Sequence, residues 1–484
     1  MKILKIQIKF FILLFIFLIS TLGVKANIYN KKFDLSLESG ANPYGSLTSL
    51  NNEFYGMTSF GGLYDYGVIL KWNPTTNVYN KKFDFQNNTG IEPYGSMVLK
   101  NLKFYGMTSR GGLNNCGTIF EWDPSSNVFT KKFDFNNMTG KFPYGDLSIF
   151  QEKFYGMTNS GGLNNKGTIF EWDPSSNVFT KKFDFNNNFG TYPRGFLILF
   201  QEKFYGMTYR GGLNNKGTIF EWDPSSNIFT KKFDFDGIEN GNYPYGSLTI
   251  FNNKFYGMTS EGGKYDQGVL FEWDPVLNTF NKKIDFNYLW NGSYPYGTLS
   301  VNGSKLYGIT TGGGSNNWGV IFEWDPLNDI YTKKINLDTG GGNYFNGKMS
   351  LFDGKFYGMM YQGGINHKGT IFEWNQNSPP VAQSLSVTGS SYVGSTLVGN
   401  YTYFDEDGDI EGESIYKWYR DDVGIDNSSS KTYITKIEDI GKLIKFEVTP
   451  VAITGEKIGN PFNVIFPEVI KKAYKLFPAE FTWR

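Results

Sequence analysis

Two constellations of side chains in this chain could do chemistry. The first is Asp405, Asp407, Asp409 and Glu411, carboxylates at alternate positions of the segment DEDGDIE. Oxygen ligands spaced in this way can converge on a hard cation such as Ca²⁺. The spacing departs from an EF-hand loop, with glycine at 408, and no helix pattern flanks it. A solvated acidic turn therefore competes with the calcium reading. The second constellation is aromatic and guanidinium: Phe60, Arg110, Tyr209, Arg210, Trp290, Trp318 and Tyr361, joined by Arg194 and further tyrosines. Aromatic faces suit the apolar C–H faces of sugar rings, and the neighbouring donors suit their hydroxyl edges. The same inventory suits a protein partner, where Tyr, Trp and Arg dominate binding energy. Catalysis finds little footing. His367 is the only histidine, which excludes a multi-histidine metal site and a repeated histidine triad. Asp65, Glu92, Glu239, Glu261 and Asp266 are scattered, with no evident pair at the roughly 5–9.5 Å separation that glycoside cleavage uses.

The elements that must position these groups are written seven times. A phrase close to FYGMTxxGGxxxxGTIFEWDP starts at Phe54, Phe104, Phe154, Phe204, Phe255, Leu306 and Phe356, at a period of 50 or 51 residues. Fixed periods of this size mark repeat architectures. Each copy breaks into four short aromatic or β-branched runs, bounded by Gly, Pro, Asn and Asp, which predicts a meander of four antiparallel strands. Seven such units predict an all-β, seven-bladed propeller over residues 27–375. Strands of the KKFDF type begin at Lys31, Lys81, Lys131, Lys181, Lys231, Lys282 and Lys333. The first precedes every YGMT phrase and none follows Trp374, so the N-terminal strand is expected to complete the last blade and close the ring. That removes an open sheet edge.

Within the repeat, alternation puts Phe129, Lys131, Phe133 and Phe135 on one face of the outermost strand. The lysine pairs are expected to guard that edge, balanced by the aspartate that follows and by the Glu of FEW. The Trp of EWDP is expected to pack blade on blade. The turns QEK and DPSSN are tight and uniform, whereas the loops at the other end are long and differ between copies. Variable loops on a rigid scaffold are where function concentrates, and the aromatic and guanidinium set falls on them.

Outside the repeat, Lys2, Lys5 and Lys9 precede an apolar run from Phe10 to Val24 and the site Val24-Lys25-Ala26. Residues 1–26 read as a signal peptide, and the chain as secreted or held at the cell surface. No other segment reads as a membrane span. The rest carries 42 basic against 46 acidic residues, which argues against nucleic acid as a partner. Cys116 is the only cysteine, so no intramolecular disulfide forms, and its slot holds Lys166 and Lys216 in the next two copies.

The YGMT…GG…G-T-I-F-E-W string resembles the Gloeo/Verruco repeat of exported bacterial proteins, across roughly residues 29–375. That resemblance implies a repeat fold and no particular reaction. After a linker at 376–380, residues 381–466 change to shorter alternating runs around VGSTLVGNYTYFDEDGD, YKWYR and FEVTPVA. These resemble Ig-like β-sandwich modules of bacterial surface proteins, with Trp418 as the core aromatic. Residues 467–484 match nothing legible. The reading is a monomeric, non-enzymatic protein that holds an extracellular glycan or a cell-surface protein on its long-loop face. A propeller glycan hydrolase or lyase, and a purely architectural surface protein, are the alternatives.

Overall fold

The computed structural model describes residues 28–375, 379–405, 409–453 and 458–472. The segment 1–26 and residues 376–378 of the linker lie outside the described residues. Two compact units emerge, one spanning Ile28–Asn375 and the other holding the described residues from 379 onward.

The first unit is a propeller of seven four-stranded antiparallel sheets. A representative sheet runs from the inner strand Ser148–Phe150 through Lys153–Thr158 and Thr168–Asp173 to the outer strand Val178–Asp184. Its first hairpin turns on Gln151 and Glu152, both at positive φ, a turn whose twist matches that of the flanking strands. In the third, the Asp173 carboxylate accepts the Ser175 amide at 2.8 Å. Ring closure follows the sequence expectation: Ile28–Asp34 pairs antiparallel with Thr370–Asn375.

Aromatic wedges join the sheets. Trp172 is fully buried, 5.5 Å from Phe154 of its own sheet and 6.0 Å from Tyr105 of the preceding one. Its indole N–H donates to Asn177 at 3.1 Å, and Asn177 in turn donates to the Lys132 carbonyl of the preceding sheet at 3.2 Å. At the rim, Glu171 takes Lys153 at 2.7 Å and Lys182 at 3.1 Å, while Lys181 pairs with Asp184 at 2.8 Å. Burial would raise the Glu171 carboxyl, but hydrogen bonds from Lys153 and Lys182 outweigh it and hold the group below the ordinary value. The lysine belt is thus balanced inside the protein.

Strict alternation does not survive in the outer strands. Ile119 faces Phe133 and Phe120 faces Lys131, so Lys132 is skipped in a β-bulge. One extra residue flips everything beyond it to the other face. Phe129 therefore stacks back on Phe83 at 4.2 Å, while Phe133 stacks forward on Phe179 at 4.1 Å. Cys116, in a slot that holds lysine in the next two copies, is not on the surface. It is buried among Ile119, Phe135 and Leu147, and that burial pushes its thiol up.

The second unit stacks a three-stranded sheet (Val381–Thr388, Thr396–Phe404, Thr432–Ile434) on a four-stranded one. The latter runs Val423–Gly424, Ile415–Arg420, Ile444–Thr449, Phe462–Ile465. Trp418 is fully buried between them, 5.0 Å from Phe446 and 5.6 Å from Tyr433. Residues 467–472, illegible in sequence, continue this unit. Ile470 enters its core and bridges Ile440, and Lys471 bridges Tyr392.

Candidate functional site

Each inner strand is preceded by a glycine that packs against the glycine of the next sheet. A Cβ on Gly145 would lie 2.2 Å from the Gly195 carbonyl oxygen, and one on Gly195 2.7 Å from that of Gly246. The series Gly45, Gly95, Gly145, Gly195, Gly246, Gly297, Gly347 returns to Gly45 and forms a collar around the axis. No side chain fits there. Of the residues before these glycines, Tyr44, Tyr94, Tyr144, Arg194, Tyr245 and Asn346 line the axial cavity, and Tyr296 packs on Tyr245 at 4.9 Å.

This collar opens on the long-loop end. The inter-blade loops bridge the loops after the YGMT strands, as in Ala41 with Phe60, Thr191 with Arg210 and Asn343 with Gln362. Tyr361 from one such loop reaches Tyr44 edge-on at 5.6 Å, and Tyr209 from another reaches Tyr245 at 6.1 Å. Tyr44, Tyr94, Tyr144, Arg194, Tyr245 and Tyr361 line a funnel of about 240 Å³. Below it the glycine collar, with Asp146 and Lys348, narrows the axis to about 50 Å³. A chamber of about 310 Å³ lined by Leu47, Met97, Val301 and Met349 lies beyond.

The funnel is aromatic with one fixed charge. The Arg194 guanidinium lies 4.2 Å from the Tyr209 ring, 4.5 Å from Tyr245 and 5.9 Å from Tyr144. Such stacking over ring faces is favourable for a guanidinium. The Tyr44 and Tyr245 hydroxyls hydrogen-bond to each other across the opening. Burial pushes the Tyr44, Tyr94 and Tyr144 hydroxyls above their ordinary value, so they stay protonated donors, and it pushes Tyr296 up to about 12. At the collar, burial raises Asp146 despite the Ser96 amide it accepts.

The residues singled out in sequence have different fates. Tyr361 lines the funnel, and Tyr209 packs beside it on Tyr245 and Arg194. Arg210 lies outside it, over Tyr209 at 5.6 Å and Tyr243 at 5.3 Å. Arg110 leans on Phe142 at 5.4 Å and pairs with Glu92 at 3.5 Å. Phe60 is half-buried beside Ala41. Trp318 packs against the core between the last two sheets rather than offering a platform. Trp290 is 73% exposed and lines none of these cavities. Of the scattered carboxylates, Asp65 and Asp266 are spent holding the Gly61 and Gly262 amides at 2.8 and 3.0 Å.

In the second unit, Asp405 accepts the Asp409 amide at 3.3 Å, and Glu411 accepts the Ser414 and Tyr401 hydroxyls. Asp407 lies outside the described residues, and no group of three or more His, Cys, Asp or Glu among those described could hold a metal. The axial tyrosines escaped the sequence reading because repetition marks them as structural. Their signal was the one copy in which PYG becomes PRG, at Arg194. Also unforeseen is an arc of exposed apolar residues on the long-loop end: Leu63, Leu113, Leu163, Leu213 and Ile365.

Comparison with known proteins gives two family matches. The Gloeobacter/Verrucomicrobia repeat matches residues 16–152, 147–251 and 239–413. The AIR9 A9 domain matches residues 381–465, and the C-terminal unit is an Ig-like domain of that type. The 187-kDa microtubule-associated protein AIR9 of Arabidopsis thaliana is 40% identical over 81 residues, which are 15% of this chain and 5% of that protein. Among solved structures, the extracellular domain of the putative one component system BT4673 from B. thetaiotaomicron has a TM-score of 0.50 at 11% identity. The match covers 92% of this chain and 58% of that one, and at such identity it speaks to the fold alone. The GH74 enzyme of Niastella koreensis follows at 0.48 and 13% identity, covering 91% of this chain and 68% of the enzyme. PorZ, a bacterial surface component of the type-IX secretion system of Porphyromonas gingivalis, scores 0.46 at 11% identity, covering 90% and 60%.

Proposed function

The chain belongs to the Gloeobacter/Verrucomicrobia repeat family, and from that premise we propose that it is an exported, non-enzymatic binding protein that holds an extracellular glycan at its axial mouth. One observation carries the reading. Five tyrosines and an arginine from separate sheets converge on a single funnel at the end where the loops vary. Rings presented edge and face to a cavity of sugar size, with protonated hydroxyls between them, offer apolar faces and hydrogen bonds together. The leader motif at 1–26 supports export, and the Ig-like unit fits a spacer at a cell surface. A nearly neutral charge and the internally paired lysine belt favour no nucleic acid partner.

The test is binding of the full chain to a broad glycan array beside the variant Tyr209→Ala/Tyr361→Ala. Saturable binding that the variant loses is the expected result. Binding that survives the double substitution would move the site away from the axis. No binding to any glycan would leave a protein partner or an architectural role in its place.

A further inference from the structure

We infer that the axial mouth selects a sugar bearing a carboxylate, which Arg194 receives; this deepens the glycan-binding reading and rests on it. Six of the seven collar positions carry tyrosine or asparagine, and the fourth copy alone places a charge there. That charge lacks the carboxylate partner that Lys132, Lys182, Lys232 and Lys334 have at the rim. Arg110 pairs with Glu92 and Arg420 with Asp439, but among the described residues no carboxylate pairs with Arg194. Its Nε is buried without a hydrogen-bond acceptor. A buried donor left unsatisfied is costly, and Arg194, which lines the funnel, has no counter-ion among the described residues to offset it.

The surroundings define the anion. The guanidinium carbon sits over the Tyr209 and Tyr245 rings, which stand nearly perpendicular to each other, so the side chain is confined before anything binds. A planar fork held in this way matches a planar carboxylate through two parallel N–H···O bonds. Phosphate, with its second charge, asks for a second cation, and none is offered. Arg210 and Lys216 are turned onto Tyr243, and Lys348 lies at the collar below the funnel. The remaining lining is tyrosine, which suits the body of a sugar ring rather than a chain of charges. An acidic sugar on a mainly neutral aromatic lining is therefore the ligand that the funnel fits.

The experiment presents the full chain with uronic-acid oligosaccharides, each paired with its carboxyl-reduced neutral counterpart, and with sulfated glycans alongside. The parent and Arg194→Tyr are compared. That substitution restores the residue that five sister copies carry, so folding is expected to persist and is checked by thermal melting. The parent should bind the acidic member about tenfold more tightly than its neutral partner. Arg194→Tyr should bind both members alike, at the parent's neutral affinity. Equal binding of both members by the parent, a preference that survives in Arg194→Tyr, or preference for sulfate would overturn the inference while leaving the glycan site in place. Absence of binding to every probe would overturn both.

Discussion

Lys182 and Arg194 stand on successive repeats, one at the rim and the other at the axis, and they are treated in opposite ways. Lys182 has a carboxylate at 3.1 Å in the adjacent strand, in an arrangement that recurs at Lys132, Lys232 and Lys334. Arg194 faces aromatic rings and a cavity. At the rim, then, lysines of the repeat meet carboxylates of the repeat. At the axis, the one arginine that replaces a tyrosine meets rings instead. The same division separates Trp172, locked between sheets, from the tyrosines of the mouth, which keep part of their surface toward the funnel.

The division can be broken or sharpened by substitution. The largest effect is expected at the wedge: Trp222→Ala should destabilise the propeller by about 3–5 kcal/mol, read from denaturant or thermal unfolding. A smaller loss would mean that the wedges do not carry the sheet-to-sheet contact. Next comes the collar. Gly145→Ala forces a Cβ to 2.2 Å from a carbonyl oxygen of the neighbouring sheet, so a loss of about 1–3 kcal/mol is expected. Ligand affinity should fall with it, because the tyrosines stand on the collar.

Titration separates rim from axis by sign. Glu121, Glu171, Glu221, Glu272 and Glu323 are all held below the usual value of 4.5 in the folded state. Their stabilisation is full above that pH and is lost as pH falls through their folded values. Asp146 is raised, so its contribution is present below its ordinary value of 3.8 and is lost as pH rises through its folded value. Acid titration of the melting temperature should fall more shallowly for Glu171→Gln than for the parent. Asp146→Asn, which keeps an acceptor for Ser96, should gain on the parent as pH rises. Parallel curves for either pair would contradict the assignment. The smallest effect is expected at Trp290→Ala, within about 0.5 kcal/mol of the parent and without change in glycan affinity.

Much of the fold was legible in the sequence, and less of the site. A period of 50 or 51 residues and a lone KKFDF strand before the first YGMT phrase were enough to foresee the propeller and the Ile28–Asp34 closure. The bulge at Lys132 was not, because alternation counts residues and cannot see one that drops out of the ladder. Tyr209 and Tyr361 stood out as departures from the repeat. Tyr44, Tyr94 and Tyr144 did not, since recurrence in PYG looks the same whether a residue packs the core or lines an axis. Trp318 misled in the other direction. An aromatic in a variable loop looks exposed until the strands beside it are placed, and here it closes the core between two sheets.

A crystal structure of the full chain with its tightest-binding acidic glycan would locate the ligand. The sugar ring is expected against the tyrosines of the funnel, with its carboxylate on Arg194. A glycan seated on the outer arc of Leu113 and Leu163, with the funnel empty, would contradict it.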